Sequence, residues 1–257
     1  MQEILENNIY QGDCFELIKG IPDGTVDCVI TDPPYGTTDN KWDKKVDLVA
    51  LWKELYRVAK PNAAFVFNGQ MPFTVDLVNS NRKDFRYEWI WEKIQGTGFL
   101  NANKMPLKIH EQIVVFYRKL PTYNPQKWQG KPISFNRVSN SLSKNYNFNK
   151  PIPYKNTTGL RYPTDVIKCA HDALRYNSTL KNKTLHPTQK PVSLIEYLIK
   201  TYTNPGEMVL DCFLGSGTTA VAAINTDRKY IGFEKEAEYI EMAKKRIEDA
   251  KFCVSTN

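Results

Sequence analysis

Apolar residues along this chain follow two alternating patterns. Short continuous apolar runs are typical of buried strands. Five such runs occur at residues 26–30, 63–67, 113–117, 208–211 and 230–233, of which the first contains Asp27 and the fourth ends at Asp211. Other segments carry apolar side chains every three or four positions, as helices with one buried face do, at residues 46–59 and 192–202. Because the two patterns alternate, the chain predicts an α/β domain built on a largely parallel, twisted sheet.

Residues 120–185 interrupt this alternation. The stretch is rich in Asn, Ser, Lys and Pro, with aromatic residues interspersed and no long periodic run. We therefore predict that residues 1–119 and 186–257 are two halves of one domain, and that residues 120–185 are an inserted region. A chain of 257 residues is long enough for such a domain to bury a full core.

Charge is distributed unevenly along the chain. The net charge is +7, but residues 118–190 contain fourteen Lys or Arg and two acids, so this segment carries +12 and the remainder −5. Basic side chains with interspersed rings are typical of a surface that contacts phosphates and bases. A solvated basic insertion stabilised by its own aromatic residues is the alternative interpretation.

Several classes of protein do not fit the composition. No apolar run is long enough for a membrane span, and the acidic N-terminal residues lack a signal-peptide core. Five scattered cysteines form no CxxC pair, and three isolated histidines show no metal-ligand spacing. We expect a cytoplasmic protein with reduced thiols, no metal site and no membrane partner.

The strand at residues 26–30 runs into Thr31-Asp32-Pro33-Pro34-Tyr35-Gly36. Two prolines cannot continue a strand, so a stiff loop is predicted at its carboxyl end, where open α/β sheets bind ligands. Asp32 and the Pro33 carbonyl can each accept one hydrogen of the same amino group, and Tyr35 can stack on the plane that carries it. The loop suits an exocyclic amine on a flat base. A proline-rich turn capped by an Asp is the alternative.

A second loop follows the strand at residues 208–211. Here a strand, a Gly-x-Gly loop, a helix, a further strand and a terminal acid, Glu234, follow in order. This order is typical of a nucleoside-binding unit, in which the acid binds ribose hydroxyls. The loop lacks the third glycine of a dinucleotide fingerprint and the Gly-Lys-Ser/Thr of a phosphate loop. Nicotinamide cofactors and ATP are therefore disfavoured.

Together the two loops, whose acids Asp32 and Asp211 lie 179 residues apart, resemble those of a known enzyme family. Asp32-Pro33-Pro34-Tyr35 followed by Phe213-Leu214-Gly215-Ser216-Gly217 resembles the S-adenosylmethionine-dependent DNA amino-methyltransferases. The order, with the catalytic loop first, the recognition insert next and the cofactor loop last, is that of their β class. Cys212 departs from the family, which usually has proline after the motif acid.

The resemblance implies a Rossmann-like methyltransferase fold, with a mostly parallel seven-stranded sheet, helices on both faces and an inserted target-recognition region. It also implies the site. The catalytic residues would be Asp32, Pro33, Pro34 and Tyr35. The residues that bind S-adenosylmethionine would be Asp13, Cys14, Lys190, Pro191, Asp211, Phe213, Gly215, Gly217, Thr218, Thr219 and Glu234, with Lys190 and Pro191 closing the pocket.

The implied reaction is methyl transfer to the N6 amine of adenine in double-stranded DNA after the base is flipped out. Asp32 favours adenine, because the family more often pairs Ser at this position with cytosine N4. Cytosine-N4 transfer is the alternative, and a non-catalytic DNA-binding regulator is an alternative of another class. The resemblance further suggests a homodimer and a companion restriction enzyme.

Overall fold

A computed structural model describes residues 4–36, 44–137, 154–168 and 189–255. It divides into two compact units, residues 1–124 with 165–257, and residues 125–164. The second unit lies within the predicted insert of residues 120–185. Much of that insert, residues 138–153 and 169–185, lies outside the described residues.

The first unit contains one eight-stranded sheet. In spatial order its strands are β1 (Asn8–Gln11), β12 (Lys229–Glu234), β11 (Met208–Asp211), β2 (Val26–Thr31), β3 (Ala59–Gly69), β5 (Lys108–Phe116), β4 (Phe85–Thr97) and β10 (Val166–Lys168). Every neighbouring pair is parallel except the two that include β5, which is antiparallel to β3 and to β4. The mostly parallel sheet is confirmed. Its eighth strand, β10, was not foreseen, since three residues carry no periodic pattern.

Helices cover both faces of this sheet. One face carries α1 (Cys14–Leu17), α2 (Leu48–Val58) and α3 (Phe73–Ser80), and the other carries α4 (Val192–Tyr202), α5 (Thr218–Asn225) and α6 (Ala237–Ser255). Each face of the sheet has its own hydrophobic core, and alternate residues of β3 contribute to one core or the other. Phe65 and Phe67 pack on the α2 side, and Val66 packs on the α4 side. Such two-sided burial explains why the strands are continuous apolar runs.

Local chemistry fixes where α2 and β3 begin. The Asp47 carboxylate accepts hydrogen bonds from the backbone N–H groups of Val49 and Ala50, both at 3.0 Å, and caps α2. The helix ends at Val58, and β3 follows at once because Ala59 pairs with Val26 of β2. The strand therefore begins four residues before the apolar run at 63–67 that predicted it.

The centre of the sheet determines where a ligand can bind. From β2 the chain winds outward through β3, and from β11 it winds the opposite way through β12. The β2–β11 pair is thus the point at which the strand order reverses, and a crevice opens there beyond the carboxyl ends of the strands. The two loops singled out in the sequence follow β2 and β11.

The second unit is built from two short antiparallel strand pairs. Here β6 (Trp128–Gln129) pairs with β9 (Leu160–Arg161), and β7 (Ile133–Arg137) pairs with β8 (Tyr154–Asn156). Cations lie over aromatic rings in this unit. The Arg161 guanidinium is 5.7 Å from the Trp128 ring centroid, and Lys127 Nζ is 4.5 Å from that of Tyr162. Among the described residues of the whole chain, no helix is long and apolar enough to cross a membrane.

Candidate active site

The loop after β2 presents a carboxylate that is held from two sides. Tyr35 donates its hydroxyl hydrogen to Asp32 Oδ1 at 2.6 Å, and the Tyr35 ring stacks on Phe73 with centroids 4.9 Å apart and planes at 23°. Lys190, which precedes α4, donates from Nζ to Asp32 Oδ2 at 2.6 Å. Asp32 is therefore fixed in position by partners from its own loop and from a segment 158 residues away.

Lys190 belongs to a chain of four charged groups. Its Nζ also lies 3.2 Å from Glu111 Oε2, and Lys93 Nζ lies 2.5 Å from Glu111 Oε1. Burial alone would lower the pKa of Lys190, but the Asp32 and Glu111 carboxylates outweigh it and raise that pKa. Burial likewise opposes the ionisation of Glu111, yet Lys190 and Lys93 lower its pKa. Two carboxylates and two ammonium groups of opposite charge therefore alternate beside the loop.

Strand direction brings these groups together. Because β5 is antiparallel, its first residues lie at the edge where β2 and β3 end, and Gln112 pairs with Gly69 at the end of β3. Glu111 is thereby placed near Asp32. Asn68, at the same edge, donates from Nδ2 to the Thr31 carbonyl oxygen at 3.4 Å. Among the described residues, Asn68 Oδ1 and Trp91 Nε1 have no hydrogen-bond partner although both are buried.

The loop after β11 begins at a fully engaged acid. Asp211 accepts hydrogen bonds from the Thr31 hydroxyl at 2.8 Å, from the Thr219 hydroxyl at 2.6 Å and from the Phe213 N–H at 3.0 Å. Burial raises the pKa of Asp211 to about 6, although these hydrogen bonds oppose the shift. The Thr31 bond links the end of β2 directly to the end of β11, so the two loops share one edge.

Glycine conformations shape this second loop. Gly215 and Gly217 have φ values of 54° and 84°, in the left-handed region, and Gly217 is the N-cap residue of α5. The Glu234 carboxylate, at the end of β12, accepts from the backbone N–H of Gly215 at 2.7 Å and of Glu236 at 2.8 Å. Burial raises the pKa of Glu234 despite these bonds.

One cavity of about 800 Å³ joins both loops. The resemblance assigns a role to fifteen residues, and thirteen of them line this cavity: Asp13, Cys14, Asp32, Pro33, Pro34, Tyr35, Lys190, Asp211, Phe213, Gly215, Thr218, Thr219 and Glu234. Pro191 and Gly217 do not line it and instead stand at the starts of α4 and α5. The two motifs therefore face a shared space.

The three buried cysteines of the described residues carry neutral thiols. Cys14 lines the cavity, but burial raises the pKa of its thiol to about 12, so the thiol is neutral. Cys28 and Cys212 are also buried with raised pKa values. No cluster of His, Cys, Asp and Glu side chains in the described part of the chain could hold a metal ion.

Comparison with known proteins identifies the family. The sequence profile of a family of DNA methylases matches residues 26–245, which is most of the chain. The chain belongs to the N6/N4 DNA methylase family.

This DNA methylase is similar to proteins of known type. It is 29% identical over 263 residues to the type II methyltransferase M.HpaI of Haemophilus parainfluenzae, covering 96% of this chain and 76% of that protein. It is 30% identical over 258 residues to the DNA adenine methyltransferase YhdJ of Escherichia coli strain K12, covering 94% and 83%. The crystal structure of the M1.HpyAVI–SAM complex matches it with a TM-score of 0.61 at 27% identity, covering 93% and 98%.

The structure of this DNA methylase adds residues to which the sequence pattern assigned no role. Lys93 and Glu111 complete the charged chain to Asp32, and Arg246 holds the glycine loop. Arg246, on α6, donates from Nη1 to the Ser216 carbonyl at 2.6 Å and to the Ser216 hydroxyl at 2.8 Å. The sequence contains one indication that Arg246 has bonding partners inside the protein. Arg246 lies between Ala243 and Ile247 on the buried face of α6, where an arginine needs partners.

Proposed function

We propose that this DNA methylase transfers a methyl group from S-adenosylmethionine to the exocyclic N6 amine of adenine in double-stranded DNA. The observation that carries the proposal is the shared cavity. Asp32, Pro33 and Tyr35 line one part of it, and Asp211, Gly215 and Glu234 line another. The relatives support the choice of base, because YhdJ is named a DNA adenine methyltransferase.

The residues of the glycine-loop side fit S-adenosylmethionine. That molecule carries an ammonium group, a ribose diol and an adenine ring. Asp211 and Glu234 supply carboxylates for the ammonium group and for the ribose hydroxyls, while Thr218 and Thr219 open a helix whose N–H groups face the ligand. A volume of about 800 Å³ is in the range of small-molecule sites. When bound, S-adenosylmethionine supplies an electrophilic methyl group on sulfur.

The catalytic loop positions the amine and stabilises the charge that develops on it. The Asp32 carboxylate accepts one N–H hydrogen and the Pro33 carbonyl the other, which orients the nitrogen lone pair away from both acceptors. As the nitrogen gains the methyl group and the methyl–sulfur bond breaks, the nitrogen would become positive, and a fixed carboxylate beside it stabilises this charge without having to reorient. Loss of one N–H hydrogen as a proton would then give neutral N6-methyladenine. Lys190 and Tyr35 hold the carboxylate in place.

An adenine inside a duplex cannot reach this loop, so the base must leave the helix. Flipping costs a few kcal/mol, and stacking on an aromatic side chain returns roughly 1–3 kcal/mol. Tyr35 is the aromatic residue on the catalytic loop, and Phe73 fixes its ring plane. The role assigned to Tyr35 is to hold the flipped base in the plane that Asp32 and Pro33 require.

Isotope transfer followed by nucleoside analysis tests the proposal. The protein is incubated with S-adenosylmethionine carrying a labelled methyl group and with unmethylated bacterial DNA, which is then hydrolysed and separated. We expect label in N6-methyladenine and none after Asp32→Ala substitution. Label in N4-methylcytosine alone would overturn the assignment of the base. DNA binding without transfer would favour the non-catalytic regulator.

Three expectations from the sequence analysis stay predictions. We expect a homodimer, which sedimentation equilibrium measures. We also expect a companion restriction enzyme that does not cleave DNA methylated by this protein. A DNA substrate also implies that the protein acts in the compartment that holds the chromosome, which in a bacterium is the cytoplasm. Sequencing the methylated bases of cells that express the protein would give the recognition site.

A further inference from the structure

The segment between β4 and β5 exposes an unusual number of apolar side chains. We name residues 98–107 the β4–β5 tip. Leu100 is 100% exposed, Phe99 61% and Met105 53%, and Leu107 is also exposed. Single exposed apolar residues are normal, but four within ten positions form a concentration that indicates a contact surface.

The tip has a defined backbone that does not depend on burial of these side chains. Gly98 has a φ of 93° and turns the chain into a short 3₁₀ helix, Phe99–Asn101. Backbone hydrogen bonds from Asn101 to Gly98 at 2.9 Å, and from Met105 to Asn101 at 3.0 Å, close the turn. The structure therefore presents Phe99 and Leu100 outward on a closed turn of chain.

The location and charge of the tip indicate what it contacts. At its base, Thr97 and Lys93 line the cavity, and Thr97 pairs with Lys108 of β5. Residues 93–110 contain three lysines and no acid. Lys93 is engaged with Glu111, whereas Lys104 and Lys108 are exposed. Apolar side chains flanked by lysines, next to a pocket for a nucleobase, complement the stacked bases and phosphates of a duplex.

We propose that the β4–β5 tip is a wedge that enters the DNA duplex at the target base pair. Phe99 and Leu100 would occupy the gap that the target adenine leaves in the base stack, while Lys104 and Lys108 contact the adjoining phosphates. The inference rests on the proposed function, since a wedge is needed only where a base is extruded. It adds a duplex-opening surface to a site that otherwise only holds the extruded base.

Two DNA duplexes that differ only at the target pair test the wedge. Both contain the methylation site mapped by sequencing, and in one the target adenine faces an abasic residue, so that no base pair has to be broken. The Phe99→Ala/Leu100→Ala double variant removes only exposed side chains. Phe252→Ala, at a residue 70% exposed on α6, is the matched control.

We expect the double variant to lose at least tenfold in transfer rate on the paired duplex and less than threefold on the abasic duplex. The control should match the wild type on both. An equal loss on the two duplexes, or no loss on the paired one, would overturn the wedge. A change from dimer to monomer in sedimentation equilibrium would also overturn it and assign the tip to contact with a second copy. Absence of N6-methyladenine with wild-type protein on both duplexes would instead contradict the proposed function.

Discussion

At the scale of single residues, we expect the Asp32 carboxylate to contribute most to the rate of methyl transfer. Asp32→Asn keeps the size of the side chain but removes the negative charge that stabilises the methylated amine. We expect the transfer rate to fall by at least about 100-fold, the usual loss for one preorganised electrostatic group. The affinity for S-adenosylmethionine, measured calorimetrically, should stay within a few fold. Near-full activity in this variant would remove Asp32 from the catalytic role.

Lys190 has two candidate roles, and one substitution separates them. The resemblance assigns it to closure of the cofactor pocket, but the structure pairs its Nζ with Asp32 and Glu111. In Lys190→Met the two carboxylates lose their shared cation, and the pKa of Glu111 should rise. If Lys190 positions Asp32, kcat falls roughly 10- to 100-fold while the affinity for S-adenosylmethionine changes little. Lost affinity with an intact kcat would support pocket closure instead. Lys60→Met, which removes a lysine paired with Asp27 away from the cavity, is the control.

Asp211 should make cofactor binding depend on pH. Its pKa is raised to about 6 by burial, so the carboxyl is neutral below that value and ionised above it. The ammonium group of S-adenosylmethionine attracts only the ionised form. The affinity for S-adenosylmethionine should therefore rise as pH increases through about 6 and level off above about pH 7. Below about pH 7, binding should release a proton.

Calorimetry from pH 5 to 8 measures the affinity and the proton release. In Asp211→Asn the affinity should be lower and the rise near pH 6 lost; a wild-type affinity that is flat across this range would contradict the assignment.

At the scale of elements, the start of α5 depends on close packing against α6. A Cβ added at Gly217 would lie 2.8 Å from Ala243 Cβ, and the residue has a φ of 84°. Gly206 has a similar φ of 80°, but an added Cβ there would meet nothing within 4 Å. Gly206→Ala should cost about 1–2 kcal/mol in free energy of unfolding from backbone strain alone. Gly217→Ala should cost about 1–3 kcal/mol more from overpacking. Urea unfolding gives both values, and equal losses would contradict the packing explanation.

The strands and helices also show how much of the fold and of the site could be predicted from the sequence. Continuous apolar runs located β2 and β11 correctly, because strands buried on both faces carry that pattern over their own length. The two motif loops follow from these strands. The contact between Glu111 and Lys190 could not be predicted in this way. It requires β5 to run antiparallel between β3 and β4. No local sequence pattern determines this strand order or direction.

At the scale of the whole molecule, charge is divided between the two compact units. Residues 125–164 contain seven Lys or Arg and no acid, which equals the entire net charge of the chain. The remaining residues carry equal numbers of positive and negative side chains. A neutral catalytic unit has little general attraction for a polyanion. The basic unit is therefore the source from which we expect most of the sequence-independent affinity for DNA.

That division predicts how binding responds to salt. A protein that neutralises phosphates releases counterions, so the logarithm of affinity falls linearly with the logarithm of salt concentration, by about 0.9 for each phosphate contacted. Replacing Lys127 and Lys131 of the basic unit by Gln should reduce the steepness of this line by about 2. Replacing Lys19 and Lys244 by Gln should leave the slope unchanged, because these exposed lysines of the neutral unit already pair with Glu16 and Glu241. Fluorescence anisotropy with a labelled duplex measures the slopes.

The same titration also distinguishes binding from chemistry. At saturating DNA, the Lys127→Gln/Lys131→Gln variant should transfer methyl groups at the wild-type rate, because these lysines are not expected to contact the reacting amine. Equal slopes for both pairs of variants would exclude Lys127 and Lys131 from the DNA contact. A slope that falls for the Lys19 and Lys244 pair instead would place the phosphates on the neutral unit, and the aromatic residues of residues 125–164 would then serve only to stabilise that unit.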